Sequence, residues 1–154
     1  MEAVRVIVVG AGGGRGSWFV SELSRHADYQ VVALVDRLPQ AARLYAEASG
    51  LSDVPIYVDT SEALGAVSCD AVLVATSDYE HVGPVVASLE RGKYIYVEKP
   101  LAINLEDCQA LVEADRSAGR HTRFRIKLRF APLYRKALIL LAQGVVGRVL
   151  TIQA

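Results

Sequence analysis

The sequence predicts an α/β fold, a doubly wound and mostly parallel sheet. Two observations carry that reading. Short apolar runs alternate with helix-period stretches along most of the 154 residues, the pattern of parallel strands joined by crossover helices. A cluster of glycines also separates the first apolar run from the first helix.

The elements follow in order. "VRVIVV", Val4 to Val9, is a continuous apolar strand, followed by glycines and a helix reaching about Ser24. "QVVALVD" is a second strand ending at Asp36, and Pro39 opens a helix that Gly50 stops. "PIYV" is a short third strand, and "DTSE", Asp59 to Glu62, has capping-box spacing before a brief helix. "CDAVLVAT" is the fourth strand. "SDYE", Ser77 to Glu80, repeats the capping-box spacing, and the helix after it sets Val82, Val85, Val86 and Leu89 on one face before Gly92. "YIYV" is the fifth strand. Asn104 caps a helix with Leu105, Cys108, Leu111 and Val112 on one face, and Gly119 stops it.

The last thirty residues differ. "RFRIKLRF" alternates, with Phe124, Ile126, Leu128 and Phe130 expected to face helices and Arg123, Arg125, Lys127 and Arg129 a wet or functional side. "APLYRKALILLAQG" reads as a helix and "RVLTIQA" as a strand on which the chain stops. The expected division is a first domain over residues 1–125 and the start of a second α/β domain over 126–154, cut short there or completed by a partner.

Composition is that of an ordinary globular protein, 52% apolar and 22% charged. Lysine plus arginine equal aspartate plus glutamate at 17 each, so net charge argues for neither nucleic acid nor an anionic membrane as partner. Cys69 and Cys108 stand alone and are expected to be reduced and mostly core. Neither a leader pattern nor a bilayer-length apolar run occurs, which makes a cytoplasmic location the expectation. No metal-ligand spacing occurs, and His26 and His121 read as surface residues.

The glycines carry the first chemical reading. In "VIVVGAGGGRGSW", backbone N–H groups at a helix N-terminus can receive a pyrophosphate where side chains would block its approach. Gly10 and Gly12 fit the first two positions of a G-x-G-x-x-G fingerprint. The third falls on Arg15, with Gly16 one residue late, while Gly13 and Gly14 lie between. The alternative register, Ala11, Gly13 and Gly16, loses the first glycine. Asp36 closes the second strand about twenty residues on, where an acid accepts the ribose hydroxyls of NAD. Asp36 would repel the 2′-phosphate of NADP while Arg37 would attract it, so NAD is favoured and NADP is not excluded.

The second reading concerns "YIYVEKPLA", where an apolar strand ends in Glu98 and Lys99. Buried charge is costly, so such a pair needs a partner, water or a ligand. Together with the glycine loop, "VATSDYEHVGPVVASLERGKYIYVEKPLA", "RFAP" and "GVVGRVLTIQA" make the chain resemble the Gfo/Idh/MocA oxidoreductases, the glucose–fructose oxidoreductase and inositol dehydrogenase family. The resemblance implies a Rossmann domain binding NAD(P), then an open-faced α/β domain that binds substrate and builds a homo-oligomer. By position, Lys99 takes the role of the lysine that contacts the substrate hydroxyl being oxidised and helps handle its proton. A partly desolvated lysine would suit that work. Glu98 is expected to orient Lys99 or the cofactor.

Ala75, Thr76 and Ser77 are expected to line the cofactor, although Ser77 also reads as a helix cap. His81 matches a family histidine and equally reads as a packed or capping residue. Trp18 reads as core filler or as a cover over the cofactor. The Lys99–Pro100 bond is a candidate cis peptide. The implied activity is hydride transfer between NAD(P) and a hydroxyl-bearing carbon of a sugar, cyclitol or polyol, and the rival is a dinucleotide-binding sensor without turnover. The catalytic Asp-x-x-x-His of the family is absent from these 154 residues, so no turnover is expected of them alone. Lys127 and Arg129 fall where the family's R-F-x-P segment approaches substrate, and the basic run favours an acidic substrate or merely solvates an exposed strand face.

Overall fold

The computed structural model describes residues 2–119 and 121–151, without the side chain of Arg129. Its strands are β1 (Val4–Val9), β2 (Tyr29–Val35), β3 (Ile56–Tyr57), β4 (Ala71–Val74), β5 (Tyr94–Val97) and β6 (Thr122–Phe124). The helices are α1 (Gly14–Ser24), α2 (Pro39–Ala48), α3 (Thr60–Ala66), α4 (Val82–Leu89), α5 (Leu105–Ser117) and α6 (Pro132–Ala142). The strands form one sheet in the order β3-β2-β1-β4-β5-β6, and every neighbouring pair is parallel.

The apolar strands are continuous because both faces of the sheet are covered. Successive residues of β1 feed opposite cores. Val6 and Val8 join Phe19 and Val20 of α1 and Ala42 and Ala46 of α2. Ile7 and Val9 join Ala63 and Leu64 of α3, Val85 and Leu89 of α4 and Leu111 of α5. Val6 pairs with Val31 but Ile7 with Ala33, so Val32 is an extra residue that shifts the phase of β2. The chain winds outward in one direction from β1 to β3 and in the other from β4 to β6. The loops after β1 and β4 therefore diverge, leaving a crevice at the carboxyl edge of the sheet where ligands of such sheets lie.

Most helix signals act as expected. Pro39 opens α2, the Asp59 carboxylate accepts the N–H groups of Ser61 and Glu62, and Asn104 accepts that of Asp107. Ser77 does not cap: residues Asp78–Glu80 form a 3-10 turn, and α4 begins only at Val82. Both cysteines are free, with Cys69 buried and Cys108 partly so. Among the described residues no helix is long and apolar enough to cross a membrane, and no cluster of potential metal ligands occurs.

The end of the chain corrects the reading of "RFRIKLRF". Only Thr122–Phe124 is strand, and Lys127–Phe130 form a 3-10 turn. Phe124, Ile126, Leu128 and Phe130 are exposed rather than turned to helices. Alternation needs a neighbour to pair with, and β5 ends at Val97. The N–H of Arg125 still donates to the Val97 carbonyl at 3.0 Å, the last rung on that edge. Helix α6 forms as expected, but residues 148–151 are not strand, and 152–154 lie outside the described residues.

Candidate cofactor site

The carboxyl edges of β1, β2, β4 and β5 surround a cleft of about 840 Å³, within the size range of small-molecule sites. Its floor is the glycine loop. A Cβ on Gly16 would run into the Gly10 carbonyl, so this glycine lets α1 pack against the end of β1. A Cβ on Gly12 would lie 2.8 Å from the Asp36 carboxylate. Together with Gly10, whose φ is 82°, these positions settle the register as Gly10, Gly12 and Gly16, a fingerprint with one extra residue. Gly13 and Gly14 line the cleft with open space where side chains would be, the cradle a pyrophosphate needs. Arg15 lines it too, whereas Gly16 packs behind.

Asp36 is tied to that loop. Its Oδ2 accepts the Gly12 N–H at 2.6 Å and its Oδ1 the Leu38 N–H at 2.9 Å. Each carboxylate oxygen keeps a second lone pair, so both can still accept ribose hydroxyls. Arg37, next along, also lines the cleft.

On the β4 side, Ala75, Thr76 and Ser77 line the opposite wall. Thr76 Oγ1 is buried without a hydrogen-bond partner, a cost that a cofactor bond there would remove. His81 does not reach the cleft. It is fully buried, its Nδ1 2.8 Å from the Pro100 carbonyl and its Nε2 3.3 Å from that of Thr76. It ties the β4 loop to the β5 loop and does not line the cleft as a cofactor contact would.

At the end of β5, Glu98 and Lys99 line the cleft, and the Lys99–Pro100 peptide is cis. Glu98 is 4% exposed, and the cation that pairs with it is Arg125, Nη1 to Oε1 at 2.7 Å. Its Oε2 accepts the Lys99 backbone N–H at 3.2 Å, so Glu98 fixes the Lys99 main chain while leaving its ammonium unclaimed among the described residues. The Lys99 side chain is exposed. Arg125 is likewise no cleft-facing cation: its guanidinium lies 5.8 Å from the ring centroids of both Trp18 and Phe19. Burial pushes the Tyr96 hydroxyl up, and the Arg125 charge opposes that. Trp18 is no core filler either, being 43% exposed between Arg125 and Arg15, which approaches its ring at 5.7 Å.

Lys127 is exposed on the 3-10 turn outside the cleft lining, and the side chain of Arg129 lies outside the described residues. His26 is exposed, but His121 is partly buried against Tyr94, ring centroids 4.7 Å apart. Sequence reasoning missed Asp78 and Glu80, which line the cleft, because the capping-box spacing of "SDYE" had already accounted for them.

Strand order, glycine loop and strand-end acid define a dinucleotide-binding domain of the Rossmann type. The model of the family described as "Oxidoreductase family, NAD-binding Rossmann fold" (GFO_IDH_MocA) matches residues 4–124, and the chain belongs to that family. It is similar to an inositol 2-dehydrogenase of Acidothermus cellulolyticus, 32% identical over 94% of this chain and 42% of the relative. It is also similar to a 1,5-anhydro-D-fructose reductase of Ensifer adhaerens, 30% identical over 92% of this chain and 41% of that one. The crystal structure of myo-inositol dehydrogenase from Lactobacillus casei in complex with NAD(H) and myo-inositol superposes with a TM-score of 0.89. It is 27% identical, with 96% of this chain and 44% of that chain covered. The chain thus spans about two-fifths of the length of these relatives.

Proposed function

We propose that the chain is the cofactor-binding half of an oxidoreductase that moves a hydride between NAD and a hydroxyl-bearing carbon of a sugar, cyclitol or similar polyol. The observation that carries this reading is that Lys99 lines the same cleft as the glycine loop and Asp36. The nicotinamide, when bound, supplies the hydride acceptor or donor. The amides of the glycine loop would hold the pyrophosphate, Asp36 the ribose and Thr76 a polar group of the cofactor. The unclaimed Lys99 ammonium would exchange the proton of the substrate hydroxyl. Residues 1–125 form the NAD domain in this reading, and 126–154 open a substrate domain. Cytoplasmic residence and self-association of the full-length protein belong to the same proposal. The basic run leaves the acidic-substrate reading open: Arg125 is engaged by Glu98 and Lys127 lies outside the cleft lining, while the side chain of Arg129 lies outside the described residues. Neutral polyols are favoured because the similar inositol dehydrogenases are named for one.

The test is NAD reduction by the full-length protein with neutral polyols such as myo-inositol. Lys99→Ala should lower kcat by about 100-fold or more, the usual scale of a proton-transfer group, and by far more than it changes the Kd for NAD. Near-native turnover by Lys99→Ala would remove the lysine from the chemistry.

A further inference from the structure

Arg37 poses a puzzle for cofactor choice. An arginine directly after the ribose acid is the group a 2′-phosphate would seek, since its planar fork binds phosphate through two parallel bonds. Yet this arginine is already held. Its Nη1 lies 2.7 Å from Oε1 of Glu80, and both residues line the cleft.

The two come from opposite sides of the glycine loop. Arg37 follows β2 and Glu80 ends the 3-10 turn after β4, the strands that flank β1. Their ion pair therefore reaches from one wall of the cleft to the other at its carboxyl edge. The partners are unequal. The Arg37 side chain is 71% exposed, whereas that of Glu80 is 25% exposed and rests on the wall. Glu80 is the anchor and Arg37 the group that is held. Asp36, Asp59 and Asp78 also line the cleft, so a phosphate there meets several carboxylates, and of the two arginines in the lining, Arg15 and Arg37, the one beside the ribose acid is already paired.

We propose that Glu80 sets the cofactor preference by occupying Arg37, so that the chain selects NAD although it carries an arginine suited to NADP. The proposal rests on the cleft being the dinucleotide site, and it names the residue that tunes that site. The effect is moderate, because an ion pair with one partner in water is weak and a phosphate can compete for it.

The test is calorimetric titration of NAD and NADP into the wild type, Glu80→Gln, Arg37→Ala and the double variant. Circular dichroism would check that each is folded. Glu80→Gln should lower the ratio of the NADP Kd to the NAD Kd by about fivefold, the scale of one exposed charge pair. Adding Arg37→Ala should abolish that gain, because the freed arginine is its cause. A purely structural role for Glu80 would shift both Kd values together and leave the ratio alone, and that result overturns the proposal. An equal gain with and without Arg37 overturns it too. A wild type that binds NAD while the ratio stays fixed refutes the role of Glu80 alone. A folded wild type that binds neither cofactor refutes the reading of the cleft, and this proposal with it.

Discussion

Two ion pairs of the same length, 2.7 Å, stand at the carboxyl edge of the sheet in opposite environments. Arg37–Glu80 spans the mouth of the cleft with its arginine in water. Arg125–Glu98 lies under aromatic rings, the two side chains only 16% and 6% exposed. Distance therefore says little about what each pair does. In water the attraction is offset by hydration and side-chain entropy, so a pair at a mouth can open for a ligand. Out of water neither charge can be left alone, so the inner pair is fixed and holds the end of β5 in place. One end of the cleft is exchangeable and the other is built in.

Breaking the inner pair should have the largest effect. Arg125→Ala or Glu98→Ala leaves a buried charge without its partner, and each should lower unfolding stability by about 3–5 kcal/mol. The double variant should lose much less than the sum, because removing both charges removes the strandee as well. The same cycle at Arg37 and Glu80 should give a coupling of no more than about 1 kcal/mol. Urea unfolding of the two sets measures both, and equal couplings would erase the contrast.

A third pair sharpens the comparison from the opposite edge of the sheet. Arg5 at the start of β1 grips Asp70 just before β4 through its guanidinium, at 2.9 Å, and its own backbone N–H, at an intermediate exposure of 38% and 42%. The Arg5 side-chain hydrogen bond, then the backbone one, holds the Asp70 carboxyl down at about 2, against an ordinary 3.8. Asp70 is thus harder to protonate folded than unfolded. Its contribution is fully present above the ordinary value and fades as pH falls toward 2. In acid-unfolding curves Asp70→Asn should flatten the dependence between those limits. An unchanged acid limb would show that Arg5 does not set the titration.

Much of this was legible in the chain. The strands, the glycine loop and the acid closing β2 are local patterns, and local patterns survive folding when burial agrees with them. The inner pair was not legible: Arg125 and Glu98 are 27 residues apart, and nothing in "RFRIKLRF" marks Arg125 as the cation that Glu98 takes. The alternation itself misled, because period two describes a strand only while a neighbouring edge continues, and β5 stops at Val97. Glu80 was hidden differently. Its position three residues after Ser77 suits a capping box, but the structure spends its carboxylate on Arg37.

The most direct test of the central claim, a dinucleotide cleft organised by Asp36, is calorimetric titration of NAD and NADP into the wild type and Asp36→Ala. The wild type should bind NAD at one site. Asp36→Ala should weaken NAD by about 1–3 kcal/mol, the scale of hydrogen bonds to a charged group, and NADP by less, because a 2′-phosphate gains nothing from that carboxylate. Equal weakening of both would mean that Asp36 only props up the Gly12 amide, and a folded wild type that takes up no NAD would contradict the account outright.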